Sequence, residues 1–330
     1  MLAQLATASV RHALLLGLTA TLTAALGASR ADASEPEPGS WVRYPDNPVY
    51  RDFILEEAYE VASDPHVFFD DAGELAMIYT GDVGGVSGIK LAKGTAWSNW
   101  RSETALLFEA GPSGHDVSKE TAFYRKAASG KHQLYYIGYP DETSYEAEVY
   151  LAEADALEGP YVQLAKPVVP RGLMAGKDVY CITSPSIVEH EGVLYMVFIG
   201  WNASPHNVTE VWILGATSTD EGHSWSEFQE VETRIGMEGQ VTKAPDGSFS
   251  AVRTGSYQAE EAIFLATAPH PFGPWEEQTA PILVQAGPPL EKDEIIAPQL
   301  TYDPVTGQPY LYYTGADYAL GWWVMLATRE

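Results

Sequence analysis

The chain has 330 residues, with 19 Lys+Arg against 45 Asp+Glu, a formal charge of -26, 45% apolar residues, 12% aromatics and a single cysteine. So negative a charge excludes a nucleic-acid binder, whose affinity comes from neutralising phosphates, and a protein docked on anionic lipid. One cysteine excludes a disulfide framework and a Cys-rich zinc site, and the apolar content excludes a disordered acidic chain.

The first element is a targeting segment. After Arg11 and His12 comes an apolar run, Ala13-Leu14-Leu15-Leu16-Gly17-Leu18, then small residues to Ala28, and Ala31-Asp32-Ala33 fits a small-x-small cleavage site. The run is too short and too rich in Thr and Gly for a membrane span. The expected organisation is a signal peptide over 1–33, a short linker over 34–40 and one domain over 41–330. That domain is expected to be secreted or periplasmic, with no membrane attachment after signal removal.

The remainder reads as five copies of one pattern. A first strand opens at Asp64, Glu120, Ser184, Glu238 and Ala297, followed in four copies by Pro or Gly at once. After Ala297 stands Pro298, after Ser184 Pro185, after Asp64 Pro65 and after Glu238 Gly239. A second strand then ends on glycine: MIYTG at Gly81, LYYIG at Gly138, YMVFIG at Gly200, AVRTG at Gly255 and LYYTG at Gly315. Third strands follow as IKLAKG, VYLAEA, WILGATS, IFLATA and VMLATRE. In the first four copies an aromatic then opens a fourth strand, at Trp97–Trp100, Tyr161, Trp225 and Trp275. Gly, Pro, Asn and Asp separate the strands, and no sustained helical period occurs after the targeting segment.

Four short strands repeated five times is the signature of an all-β, five-bladed β-propeller. The fifth copy stops after its third strand. The stretch Trp41–Val49 resembles the fourth-strand stretch from Trp275, so residues 41–50 are expected to complete and close the last blade.

If each first strand lines the central axis, two rings follow. The inner ring is Asp64, Glu120, Ser184, Glu238 and Ala297, with His66, Ser186, Gln240 and Gln299 two residues on. The outer ring, just past each terminal glycine, is Asp82, Tyr139, Trp201, Tyr257 and Asp317. Three carboxylates on one axis with aromatics nearby suit sugar chemistry. Glycoside hydrolysis takes one carboxyl group to protonate the leaving oxygen and one to activate water or attack. Crowded carboxylates drive their pKa values apart, and aromatic rings offer apolar faces to sugar C–H groups.

These residues resemble the five-bladed β-propeller glycoside hydrolases, the superfamily with families 43, 32, 68, 117 and 130. The likeness covers residues 41–330. It rests on Asp64-Pro65, Ser184-Pro185-Ser186-Ile187, Ala297-Pro298-Gln299-Leu300, the LYYIG and LYYTG strands, and Gly-Pro-Trp or Gly-Pro-Tyr after third strands. It implies that Asp64 is general base or nucleophile. Where the family 43 pattern has Asp on blade two, this chain has Glu120; where it has a Glu acid on blade three, this chain has Ser184. Glu238 is then the leading acid candidate, with Glu120 as pKa modulator or alternative acid. His66, Asp82, Tyr139, Ser184, Trp201, Gln240, Tyr257, Gln299 and Asp317 are expected to bind substrate.

The expected partner is a carbohydrate, with no nucleic acid, and the expected state is a monomer. No cofactor is expected to be required; oxygen ligands line the channel, but no loop motif supports calcium. Ser218–Trp225 resembles the Asp-box of sialidases and is assigned to a structural turn. Asp116, Asp178, Asp293 and His115 either brace loops or border the pocket. Cys181 is read as a buried, inert thiol. Asn202 and Asn207 open sequons that matter only in a eukaryotic secretory route. Alternatives to a hydrolase are a catalytically silent propeller that binds carbohydrate or protein and, more weakly, a phosphorylase.

Overall fold

The computed structural model describes residues 40–52, 60–83, 86–106, 108–109, 117–140, 144–204, 207–231 and 237–330. The expected signal segment, the linker before Ser40, and His115 and Asp116 lie outside them. Among the described residues every regular element is a strand.

The strands form antiparallel meanders. The first is β2 (Glu60–Phe69), β3 (Leu75–Asp82), β4 (Ser87–Ala96) and β5 (Asn99–Ala105), preceded by the short β1 (Trp41–Arg43). The second sheet holds β6 (Phe108–Glu109), β7 (Ser118–Lys126), β8 (His132–Tyr139), β9 (Glu148–Ala154) and β10 (Tyr161–Gln163), with β6 parallel to β10. A hairpin, β11 (Gly172–Met174) and β12 (Lys177–Val179), leads into the third meander. That meander is β13 (Cys181–His190), β14 (Val193–Trp201), β15 (Val211–Ser218) and β16 (Ser226–Glu230). The fourth is β17 (Met237–Lys243), β18 (Phe249–Tyr257) and β19 (Glu260–Ala268), with β20 (Glu276–Glu277) and β21 (Leu283–Val284) both on β19. The fifth is β22 (Glu294–Tyr302), β23 (Pro309–Asp317) and β24 (Gly321–Arg329).

Sequence pattern explains these elements. Second strands such as β3 and β8 are covered on both faces and buried along nearly their whole length, so they read as unbroken apolar runs. The exposed β16 reads polar. The Asp-box sits at the turn between β15 and β16. There Asp220 accepts from Ser218 Oγ (2.7 Å), Ser224 N (3.0 Å) and Ser224 Oγ (2.6 Å), and Trp225 Nε1 donates to Gly222 O (3.0 Å). Desolvation opposes ionisation of Asp220, yet the hydrogen bonds from Ser224 and Ser218 hold it down at about 2.

The first strands β2, β7, β13, β17 and β22 touch in that cyclic order, β22 returning to β2. Side chains staple them to one another. Ser186 Oγ donates to Val241 O (3.0 Å) and accepts from Val241 N (2.8 Å). Thr242 Oγ1 donates to Leu300 O (2.8 Å). The Gln299 carboxamide accepts from Val67 N (2.9 Å) and donates to Val67 O (3.0 Å), imitating a strand neighbour.

The fifth and first meanders also join through β24 and β2, parallel at Glu60↔Gly321 and Val61↔Trp322. On that same edge, away from β23, the far end of β24 takes β1 antiparallel, Trp41 opposite Arg329. Farther along, Tyr50 bridges Val324. A buried carboxylate fastens this end of the chain: Glu291 receives Arg43 through both oxygens (2.7 and 2.6 Å), Tyr313 Oη (2.8 Å) and Ala286 N (2.8 Å).

Candidate active site

Every first strand breaks its ladder at the same place. The register shifts between Ser63 and His66, Glu120 and Phe123, Thr183 and Ser186, Met237 and Gly239, and Ile296 and Gln299. Each break holds one residue in the left-handed region: Asp64 (φ 51), Thr121 (φ 51), Ser184 (φ 51), Glu238 (φ 49) and Ala297 (φ 48). An L-residue there is disfavoured by roughly 1–2 kcal/mol. Bulges bend a strand and re-aim a side chain, and they gather beside active sites.

This register corrects the expected inner ring by one residue. Thr121, not Glu120, is the second meander's counterpart of Asp64, Ser184, Glu238 and Ala297. Three of the other four bulge residues precede proline; Thr121 precedes Ala122, so that marker is missing and the sequence pattern points to the neighbouring acid instead. Glu120 instead belongs to the residues just before the bulge, each opposite a second-strand residue: Ser63↔Thr80, Glu120↔Ile137, Thr183↔Ile199, Met237↔Thr254 and Ile296↔Thr314. Two of these pairs reveal which way they face. Thr80 Oγ1 accepts from Thr121 N (3.0 Å) and Thr314 Oγ1 from Asp64 N (3.1 Å). The pair before each of those bulges therefore faces the bulge of the following sheet.

All three candidate carboxylates are buried, Asp64 at 3%, Glu120 at 1% and Glu238 at 7% exposure. Asp64 Oδ2 accepts from Ser63 Oγ (3.1 Å) and Glu120 Oε2 from Tyr139 Oη (3.2 Å). Burying a carboxylate is costly. A fold needing only a staple can use Ser or Gln, as it does at Ser186 and Gln299.

Of the residues two places on, Ser186 and Gln299 are spent on the staples already described. His66 crosses the axis: Nδ1 lies 3.1 Å from Gln240 Oε1, Nε2 lies 3.2 Å from Tyr124 O, and the ring sits 4.2 Å from that of Phe123. Burial, outweighing these hydrogen bonds, pushes His66 down to about 4, so its imidazole is neutral at pH 7. A neutral ring donates once. Tyr124 O and Gln240 Oε1 both only accept, so the single N–H of the neutral ring serves one of them at a time. Beyond this bar lies a funnel of ≈ 490 Å³, lined in part by Phe123, Ile187, Val241, Leu300, Glu189 and Lys243.

The outer ring divides. Tyr139 (0%) and Trp201 (1%) are core residues, packed with Cys181, Ala297 and Trp322, so neither presents an open ring face. Asp82 and Tyr257 are half-buried. Asp317 accepts from Lys292 Nζ (3.0 Å) and Ala319 N (2.9 Å), a loop-bracing role. Asp293 accepts from Tyr318 N (2.7 Å), whereas Asp178 is exposed on β12. Asn202 Oδ1 accepts from Thr209 N (3.1 Å) and so braces its own loop. Burial pushes the Cys181 thiol up to about 12, which leaves it unreactive.

Two carboxylates escaped sequence reasoning. Glu294, 2% exposed, pairs with the Tyr318 hydroxyl. Glu261 accepts from Ile295 N (2.9 Å), and burial raises it to about 7. Nothing in the sequence separates them from the other acids of so acidic a chain. Among the described residues no cluster of three or more His, Cys, Asp or Glu is arranged to hold a metal ion.

No family model and no curated protein matches the chain. Solved structures do. A thermostable family-43 glycoside hydrolase superposes with a TM-score of 0.62 at 14% identity, over 82% of this chain and 88% of that one. An α-L-arabinofuranosidase from Podospora anserina, solved with cellotriose, gives 0.64 at 12% identity over 89% and 98%. An N-acetylgalactosamine deacetylase from F. plautii, solved with blood group B trisaccharide, gives 0.60 at 14% over 89% and 94%. At such identities the likeness is one of fold. The chain has the all-β, propeller-like fold of glycoside hydrolases.

Proposed function

We propose that the chain is an exported glycoside hydrolase, built as a five-bladed propeller that β1 closes, with its catalytic carboxylates at the bulge ends of the inner strands. The observation that carries this reading is the repeated left-handed bulge, which bears a buried carboxylate in the first and fourth meanders, at Asp64 and Glu238. Asp64 activates water as general base, or attacks as nucleophile. Glu238 protonates the leaving oxygen. Glu120, held by Tyr139 one residue ahead of its bulge, modulates their pKa values or serves as the alternative acid. The fold neighbours named for arabinofuranosidase and family-43 activity support a plant or algal glycan containing arabinose, xylose or galactose. The protein acts as a monomer without a required cofactor.

Purified protein screened on aryl glycosides and polysaccharides tests this. Asp64→Asn is expected to lower kcat by about 10³-fold or more while leaving thermal melting unchanged, in line with the loss of a general base. Full activity in that variant overturns the assignment. A second reading, a silent carbohydrate-binding propeller, is favoured by Ser184 on the third bulge and by the burial of Tyr139 and Trp201. It predicts sugar binding with no turnover of any substrate.

A further inference from the structure

The inner strands enclose a second opening, at the end of the axis away from the bulges. The funnel beyond His66 measures ≈ 490 Å³. Small-molecule pockets span roughly 300–1,000 Å³. Each of the five inner strands gives this funnel an apolar wall residue: Val67, Phe123, Ile187, Val241 and Leu300. Its mouth lies where the first strands end. Lys243 is the last residue of β17, Glu189 is one short of the end of β13, and Glu191 follows in the turn to β14.

The polar groups of the funnel sort by depth. In its wall the side-chain donors are already committed. Thr242 Oγ1 donates to Leu300 O (2.8 Å) and Thr301 Oγ1 to Val67 O (2.8 Å). The Gln299 amide donates to Val67 O (3.0 Å) and Thr301 Oγ1 (2.6 Å). The N–H of His66 serves Tyr124 O or Gln240 Oε1. A ligand with many hydroxyls, such as a sugar, finds too few free donors there to repay its desolvation. The mouth differs. The Glu189 and Glu191 side chains are exposed, and no salt bridge among the described residues engages either. Lys243, the one Lys or Arg in the lining, donates from Nζ to the backbone oxygen of Glu189 (3.4 Å) rather than to a carboxylate.

We propose that this funnel is a binding site for a small organic cation, an ammonium on an apolar body, with the body inside and the head on Glu189 and Glu191. An ammonium offers three donors and no acceptor, and an ionised carboxylate only accepts, so head and mouth are complementary. The body asks the committed wall for no hydrogen bond and gains by leaving water. The formal charge of -26 on the chain favours the approach of a cation over that of an anion. The site lies at the opposite end of the inner strands from Asp64 and Glu238, so it stands or falls apart from the glycan reading.

The test titrates the full chain by calorimetry, at neutral pH and low salt, with three probes that share one body: hexylammonium, hexanol and hexanoate. Hexylammonium is expected to bind tightest and hexanoate weakest. The double variant Glu189→Gln, Glu191→Gln is expected to weaken hexylammonium about 3- to 10-fold and to leave hexanol unchanged, and added salt is expected to act in the same sense. Both positions are exposed, so Tm should not move. Ile187→Trp, which fills the funnel, is expected to abolish binding of hexylammonium and hexanol alike. Should that variant not fold, the His66 ring resonances of wild type locate the ligand, and they are expected to shift on titration. No binding of hexylammonium at about 10 mM overturns the proposal. So do equal affinities for the three heads, a hexylammonium affinity untouched by the double variant, binding that survives Ile187→Trp, or His66 resonances that stay fixed. Tightest binding by hexanoate makes Lys243 the anchor and overturns it too.

Discussion

His66 should make the stability of this protein acid-sensitive in a calculable way. Its imidazole sits between Tyr124 O and Gln240, packed on Phe123, and burial lowers it from 6.5 to about 4. Because the folded value lies below the unfolded one, the unfolded chain binds the extra proton first as pH falls. Stability contributed by the neutral ring is therefore complete above pH 6.5 and is lost as pH drops toward 4. At 1.36 kcal/mol per pKa unit, the loss between pH 7 and 4.5 comes to about 2.5 kcal/mol. Glu261 runs the other way over an overlapping range, so the wild-type curve alone cannot isolate His66. The informative quantity is the difference between wild type and His66→Gln, by urea unfolding at pH 7, 5.5 and 4.5. The variant loses packing and one bond, so it starts lower at pH 7, but the gap should narrow by about 2.5 kcal/mol at pH 4.5. Parallel curves would refute the claim that a neutral, desolvated histidine bars the axis.

Other perturbations have equally definite signs. Glu261, raised to about 7, favours folding while protonated and loses that contribution as pH climbs from 4.5 through 7. Glu261→Gln keeps an acceptor for Ile295 N and should stabilise the fold by about 3 kcal/mol at pH 8 but little at pH 4.5, read by chemical unfolding. Arg43→Ala leaves the Glu291 carboxylate buried with only Tyr313 and Ala286 for partners and should cost about 2–3 kcal/mol, discounted because Arg43 is itself partly exposed. Gln299→Leu strips the paired bonds from Val67 N and O and should cost about 2–4 kcal/mol in the same assay. Gly222→Ala places a Cβ 1.9 Å from Tyr135 Oη at φ +87 and should lower stability by at least about 2 kcal/mol.

The strand plan was legible because its signals are local. Glycine ends the second strands, an aromatic opens the fourth, and the apolar run between them marks strands covered on both faces. The resemblance of Trp41–Val49 to the stretch after Trp275 likewise pointed to the chain start, where Trp41–Arg43 pairs with β24. The bulge was legible only to within one residue. A bulge adds a residue to a period of two, so an error of one moves a side chain from the axis to the space between sheets, and Glu120 was misplaced in this way. Long-range pairing was not legible at all. No local feature distinguishes a Gln299 that copies a strand neighbour for Val67 from one that waits for a ligand. Nor does any foretell that Trp201 ends in the core, or that burial lifts Glu261 toward neutrality.

The clasp of Arg43 on Glu291 joins residues made near the start of the chain to one that appears some 250 residues later. Contacts of such sequence separation form late, because the loop they close must be ordered first. Until Arg329 exists, Trp41 has no strand to join, and the outer edge of β24 is a raw sheet edge for as long as Trp41–Arg43 stays away. Folding of this chain is therefore governed by its last contact rather than its first. Anything that detains the opening strand, a tether or a second protein above all, holds every other sheet in a state that is assembled but not locked.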